Sequence, residues 1–521
     1  MKSGFEYLHI NRPAKGSSVF HLVLHLLVVF ICVMFFSPVW AVENAKPERI
    51  ILTWTMDPTT SQTITWLMPD AGTGWVEYLS AEEYTGNFDG AQKAEADCEN
   101  FDSVNYRYTV NLTGLIPGEE YVYRVGRNGA WSEPLTFTTA SDQEKFTFLY
   151  MGDVQSGYDV WGQMLDTVYQ DYPQIKFALL GGDLIDNDSD EAEWEEFLDA
   201  ATGVFSKIPV MPTMGNHDGL MYVKFFALPD NGPEGLKQEF YSFDYGPAHF
   251  IVLNSGKNTD ERVKQWLTHD LENTNKAWKF VMFHVPAYPA THDYKGIDKS
   301  IQDNWVPILE QYRVDMVFVG HQHLYMRTHP IFQGEIKTKP ADGIVYVMGN
   351  AGTKTYAGGS GFPYIAREET GSNYQVIEID GNALTLTAKK ATGELIESYT
   401  INKENQTGIR PVYTIVPQTD LAYTVGITPD GINYMSVKPG TAGFKYFTCS
   451  ITPVNPHHGL KTVVFVHLRD GVQLGLNATK ADFDQVNTAQ AGFNVKPGDI
   501  IKVYIVDELT NDTEVNPVIL Q

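Results

Sequence analysis

The sequence predicts a multidomain chain in which an α/β layered core is flanked by two all-β units. Three observations carry that expectation. The 521 residues are too many for one ordinary hydrophobic core. Residues 45–140 hold short β-rich runs separated by turn formers, and residues 403–521 return to that character. Between them, over 143–402, short apolar runs alternate with segments of helical period.

The first 41 residues read as an export signal. Lys2, Arg12 and Lys15 precede the apolar run 26–36, and Val39 and Ala41 stand at the small-residue positions of a cleavage site. The run is short of the roughly 20 residues that a spanning helix needs, and no later segment is long and apolar enough to cross a bilayer. The expectation is a chain from Val42 with no stable membrane span, secreted, periplasmic or on the cell surface. Within 45–140, ILTWT (51–55), SQTITWLM (61–68), WVEYLS (75–80), YRYTVNLTGL (106–115), EYVYRVG (120–126) and PLTFTTA (134–140) are candidate strands. Asp57-Pro58, Pro69-Asp70 and Pro117-Gly118 divide them. Strands at this spacing predict a β-sandwich; an early Trp and a late Tyr-x-Tyr-x-Val resemble fibronectin type III domains.

In the middle unit, segments 160–172, 191–205 and 260–273 carry the helical period. The acidic run over 186–196 reads as the solvated face and first turn of the second of these. FKYFTCSITPV (444–454), KTVVFVHL (461–468) and DIIKVYIVDEL (499–509) predict a second sandwich without visible site chemistry. His457-His458 falls in a loop of that unit.

Composition narrows the partners. The chain has 38 Lys and Arg against 64 Asp and Glu, a net charge of −26, which argues against a nucleic-acid backbone or an anionic membrane surface. Of three cysteines, Cys32 lies in the leader, while Cys98 and Cys449 fall in different predicted units. They make neither a disulfide framework nor a zinc spacing.

The chemistry sits at the ends of five apolar runs in the middle unit. FTFLYM runs into Gly152-Asp153, FALLG into Gly182-Asp183, VMPTM into Gly215-Asn216-His217-Asp218, KFVMF into His284, and MVFV into Gly320-His321-Gln322-His323. Singly, each is a turn signal. Jointly they place metal-competent side chains where open α/β sheets bind ligands, outside the carboxyl ends of the strands. Carboxylates, an asparagine carbonyl and imidazoles without thiolate suit Mn, Fe or Zn. The donors are too many for one tetrahedral ion and enough for two divalent ions sharing a carboxylate, a grouping suited to phosphate-ester hydrolysis.

This ordered series resembles the calcineurin-like metallophosphoesterases, whose core is a four-layer α/β/β/α stack. The sequence His323-x-Tyr325-x-Arg327-Thr328 and the preceding fibronectin-like unit resemble the purple acid phosphatase branch. The resemblance covers residues 45–400. It implies that Asp183 bridges two metals, that Asp153 and His323 hold the first, and that Asn216, His284 and His321 hold the second. It further implies that a metal-bridging hydroxide attacks phosphorus, that His217 contacts the phosphoryl group with Asp218 as its orienting partner, and that His292 contacts substrate. Two positions depart from the pattern. The branch's tyrosinate position is Asp186, which predicts a colourless protein without stabilised Fe(III) and leaves that residue as a metal neighbour or the next helix cap. The superfamily's histidine two residues after Asp153 is Gln155, able to ligate through its amide oxygen. The expected activity is hydrolysis of a small phosphate monoester. A phosphodiesterase or nucleotide hydrolase is the alternative within the class, and a binding protein with a degenerate core is the alternative outside it. Oligomeric state is not encoded in these signals.

Overall fold

A computed structural model describes residues 45–141, 143–292, 296–403, 413–428, 431–454, 459–507, 509 and 519–520. The predicted export signal and His457-His458 lie outside the described residues.

Two β-sheets form the middle of the molecule, and their parallel strands matter most. One sheet has six strands, with Val210–Pro212, Ile175–Leu180 and Lys145–Met151 parallel to one another and Asn373–Asp380, Ala383–Lys390 and Leu395–Asn402 added antiparallel. The other has seven; in it Ala248–Leu253, Trp278–Phe283, Met316–Val319 and Val345–Met348 run parallel. These parallel strands are buried on both faces, which is why they read as unbroken apolar runs. Alternation shares their side chains out. Phe280, Met282, Met316 and Phe318 face the first sheet, where Phe148 meets Phe250, Phe280 and Phe318 edge-on at centroid distances of 5.3–5.9 Å. Val281, Phe283, Val317 and Val319 face a second core under helices Glu261–Asn273, Ile297–Asn304 and Val306–Gln311.

Helices Tyr158–Asp171 and Glu191–Phe205 cover the outer face of the six-stranded sheet through Trp161, Leu165, Phe197 and Leu198. The result is the α/β/β/α stack. The acidic run 186–196 includes the N-cap of the second helix, but the cap is Asp190, which accepts from the N–H groups of Ala192 and Glu193. Asp186 is not that cap. Among the described residues, no helix is long and apolar enough to cross a membrane.

The N-terminal unit encloses its own core of Ile64, Trp66, Val76, Tyr108, Tyr123 and Phe137. It contains a strand that the sequence reading lacked, Gln92–Asn100. Its first half pairs with Gly74–Ser80 and its second half with Tyr106–Thr113, so one strand joins the two halves of the sandwich. QKAEADCEN has no fully buried side chain, and its alternation of Ala94, Ala96 and Cys98 lacks any large apolar residue to read. The C-terminal strands form a three-stranded and a five-stranded sheet closed over Phe447, Phe465, Ile501 and Val503.

The N-terminal unit is packed against the core rather than tethered to it. Trp54 is 1% exposed and sits within 5.4–5.8 Å of the Phe177, Phe243 and Tyr245 rings, and Tyr123 Oη donates to the Ser206 carbonyl at 2.6 Å. Trp54→Ala is therefore expected to destabilise the chain by about 3–5 kcal/mol in denaturant unfolding. A loss below about 1 kcal/mol would mean the junction is not a shared core.

Candidate metal centre

Both sheets present the carboxyl ends of their parallel strands at one edge, and the five predicted segments meet there. Asp153 follows Lys145–Met151, Asp183 follows Ile175–Leu180, and Asn216-His217-Asp218 follow Val210–Pro212. From the facing sheet, His284 follows Trp278–Phe283, and His321 and His323 follow Met316–Val319. The close approach explains the glycines: a Cβ on Gly320 would lie 2.5 Å from Asp153 Oδ2. Asp183, His321 and His323 themselves adopt left-handed backbone, with φ of 49°, 75° and 48°. Such conformations cost of order 1–3 kcal/mol each and cluster at functional sites.

Asp183, His284 and His321 each bring one ligand atom within 4.8 Å of the others. His284 Nε2 lies 3.0 Å from Asp183 Oδ2 and 3.9 Å from Asp153 Oδ1; His323 Nε2 lies 3.8 Å from Asp153 Oδ1. The Gly181 carbonyl accepts from His284 Nδ1 at 2.9 Å, which turns Nε2 into the cluster. That Nε2 is buried and lacks an aligned hydrogen bond, as an atom reserved for a ligand would be. Asn216 and His217 line a cavity of about 380 Å³ together with His321, Asn254, Thr291 and Tyr356.

Charge is unevenly held. Burial raises the Asp153 carboxyl to about 7, with the Asp183 charge adding to it and His284 opposing. Burial would also raise Asp183, but His284 and the His217 N–H hold it down to about 2. Burial alone would depress His284, yet Asp183 and Asp153 push it up to about 10. His321 and His323 fall to about 4, each mainly through burial, so both imidazoles are neutral and free to ligate near neutral pH.

Four expected roles change. Asp218 does not orient His217. It is fully buried, and its carboxylate accepts from the N–H groups of Asp183 at 3.0 Å, Leu184 at 2.6 Å and Gly215 at 2.6 Å. Asp218 thus ties the Asp183 turn to the Gly215 turn. The His217 ring instead meets the Asp186 carbonyl through Nδ1 at 2.6 Å, with Nε2 4.0 Å from Asp183 Oδ2. His292 stands apart: its Nε2 engages the Ser360 carbonyl at 3.0 Å and its ring packs on Phe362. Gln155 is buried beside the cluster, but its Oε1 accepts from Lys354 Nζ at 2.6 Å, and the same ammonium lies 3.5 Å from Asp186 Oδ1.

Lys354 and Asn350 were absent from the sequence reading. The signal for them was a sixth apolar run, IVYVM, ending in Gly349-Asn350 like the other five. Tyr325 and Arg327 are structural: both hold Glu397, at 2.7 Å and at 2.8–3.0 Å.

The sequence matches the purple acid phosphatase N-terminal domain over residues 47–139 and the calcineurin-like phosphoesterase family over residues 146–325. The chain belongs to the calcineurin-like metallophosphoesterases, in their purple acid phosphatase branch. An uncharacterized Mycobacterium tuberculosis protein is 27% identical over 334 residues, covering 56% of this chain and 61% of the relative, so the match spans less than two thirds of that relative. Acid phosphatase type 7 of Mus musculus is 28% identical over 381 residues, covering 62% of this chain and 83% of the relative. The solved purple acid phosphatase PPD1 from yellow lupin seeds shares the fold, with a TM-score of 0.59 at 19% identity over 69% of this chain and 74% of that one.

Because Asp218 joins two turns of the candidate centre, Asp218→Asn should act through them. It sets an amide N–H₂ against backbone donors, and is expected to cost about 1–3 kcal/mol in urea unfolding. Metal affinity, read by calorimetric titration, should fall roughly 10–100-fold. Unchanged affinity would contradict the buttressing role.

Proposed function

We propose that this chain is a metal-dependent phosphoesterase acting on small phosphate monoesters outside the cytoplasm. The observation that carries the reading is the convergence of Asp183, His284 and His321 at the edge of a small cavity. The residues fit a divalent Mn, Fe or Zn ion: the donors are carboxylate and imidazole, and the buried His284 Nε2, with no aligned hydrogen bond, stands 3.0 Å from the Asp183 carboxylate. Asn216 stands at the same cavity as a further oxygen donor. Bound there, the ion supplies Lewis acidity toward a phosphoryl oxygen and lowers the pKa of water.

The chain's own side chains do the rest. His217 engages the Asp186 carbonyl through Nδ1, which fixes the ring with Nε2 4.0 Å from Asp183 Oδ2, at the cavity where a phosphoryl group would be contacted. The Gly181 carbonyl and Asp218 hold His284 and the Asp183 turn in place before substrate arrives. The size of the cavity suits a small molecule. The leader's charge and apolar pattern is what supports a location outside the cytoplasm.

Purified protein supplied with Mn, Zn or Fe(II) should hydrolyse an aryl phosphate monoester faster than a diester analogue. Asp183→Asn should lose metal occupancy and about a hundredfold or more in rate together. A preference for the diester would reassign the substrate class. No turnover of either ester would favour a binding protein with a degenerate core, and wild-type metal content in the Asn variant would overturn the site.

A further inference from the structure

The two positions where this chain departs from its family's ligand pattern have something in common: both face Lys354. Gln155 stands where the superfamily places a histidine, and Asp186 where the branch places its tyrosinate. In the structure, Lys354 Nζ donates to Gln155 Oε1 at 2.6 Å and lies 3.5 Å from Asp186 Oδ1. The amide oxygen of Gln155 is thereby engaged, and its remaining Nε2 is a donor that cannot coordinate a cation.

Lys354 is not a surface residue that happens to fold inward. Its loop continues the strand Val345–Met348 and is stitched to both residues of the first-metal side. The N–H groups of Ala351 and Gly352 donate to the Asp153 carbonyl at 2.9 and 2.7 Å, and Tyr356 N–H donates to the His323 carbonyl at 3.1 Å. Asn350, fully buried, donates from Nδ2 to the Lys354 carbonyl at 2.9 Å. The Tyr356 ring packs on that of His323 at 4.6 Å.

What remains for a metal on that side is poor. Both oxygens of Asp153 accept from the His321 N–H, at 2.9 and 2.7 Å, and the Gln155 amide oxygen is held by the ammonium. The formal charges point the same way. A second divalent ion on that side would stand beside an ammonium already engaged with Gln155 and Asp186 and would be repelled by it.

We propose that the Lys354 ammonium replaces the first metal ion, so that the centre takes one divalent cation, at Asp183, His284 and His321, and sets a lysine beside it to bind the phosphoryl oxygens. The inference rests on the metal-centre reading above and revises its expected pair of ions to one ion and one side chain.

The test is metal stoichiometry rather than activity. Full-length protein is saturated with Mn²⁺, freed of excess ion and assayed by mass spectrometry of the metal and by electron paramagnetic resonance. Wild type should hold one ion per chain, with the hyperfine pattern of an isolated Mn²⁺. Lys354→Ala, in a half-exposed loop, should fold normally by circular dichroism and rise to two ions per chain with a spin-coupled spectrum. Two ions in wild type, or one in Lys354→Ala, would overturn the proposal while leaving the phosphoesterase reading standing. A chain that binds no Mn²⁺ at all would overturn both.

Discussion

Burying like charges together is the constraint on which the rest of the molecule turns. Asp153, Asp183 and Asp218 have relative exposures of 0%, 1% and 0%, and all three stand at the ends of parallel strands of one sheet. Left alone, such groups would protonate or prevent the fold. Asp218 is satisfied by backbone N–H groups of neighbouring turns. Asp153 and Asp183 face imidazoles of the opposite sheet and need positive charge between the sheets. His284 supplies part of that charge, and a metal ion bound as proposed would supply the rest, so its binding would contribute to folding as well as to chemistry.

The backbone bears the cost of delivering the ligands. Asp183, His321 and His323 are held in left-handed conformations, and the large aromatic core beneath them supplies the rigidity that keeps them there. Helices on both outer faces and the N-terminal sandwich, through Trp54, enlarge that core.

Much of this was legible in the sequence, for a physical reason. A strand buried on both faces leaves an unmistakable apolar run, and the glycine that opens the turn after it marks where a functional side chain follows. Asp153, Asp183, His284 and His321 were read that way. Side-chain direction is not written in adjacency, however. Asp218 follows His217 in the chain, yet its carboxylate turns into the core toward three amides. Asp186 looked like a cap in an acidic run, and only backbone geometry gives that role to Asp190 instead. The strand Gln92–Asn100 was invisible because its inward face carries only the small residues Ala94, Ala96 and Cys98 and none of its side chains is fully buried. Lys354 was missed because a lone lysine in a glycine-rich loop looks like solvent-facing charge until Gln155 and Asp186 are seen on either side of it.

A crystal soaked in Mn²⁺, with diffraction collected at the Mn absorption edge, tests the central claim most directly. The account predicts an anomalous peak within coordination distance of Asp183, His284 and His321, with Asn216 turned toward it. No peak at that cluster, with Mn²⁺ bound elsewhere or not at all, would contradict it.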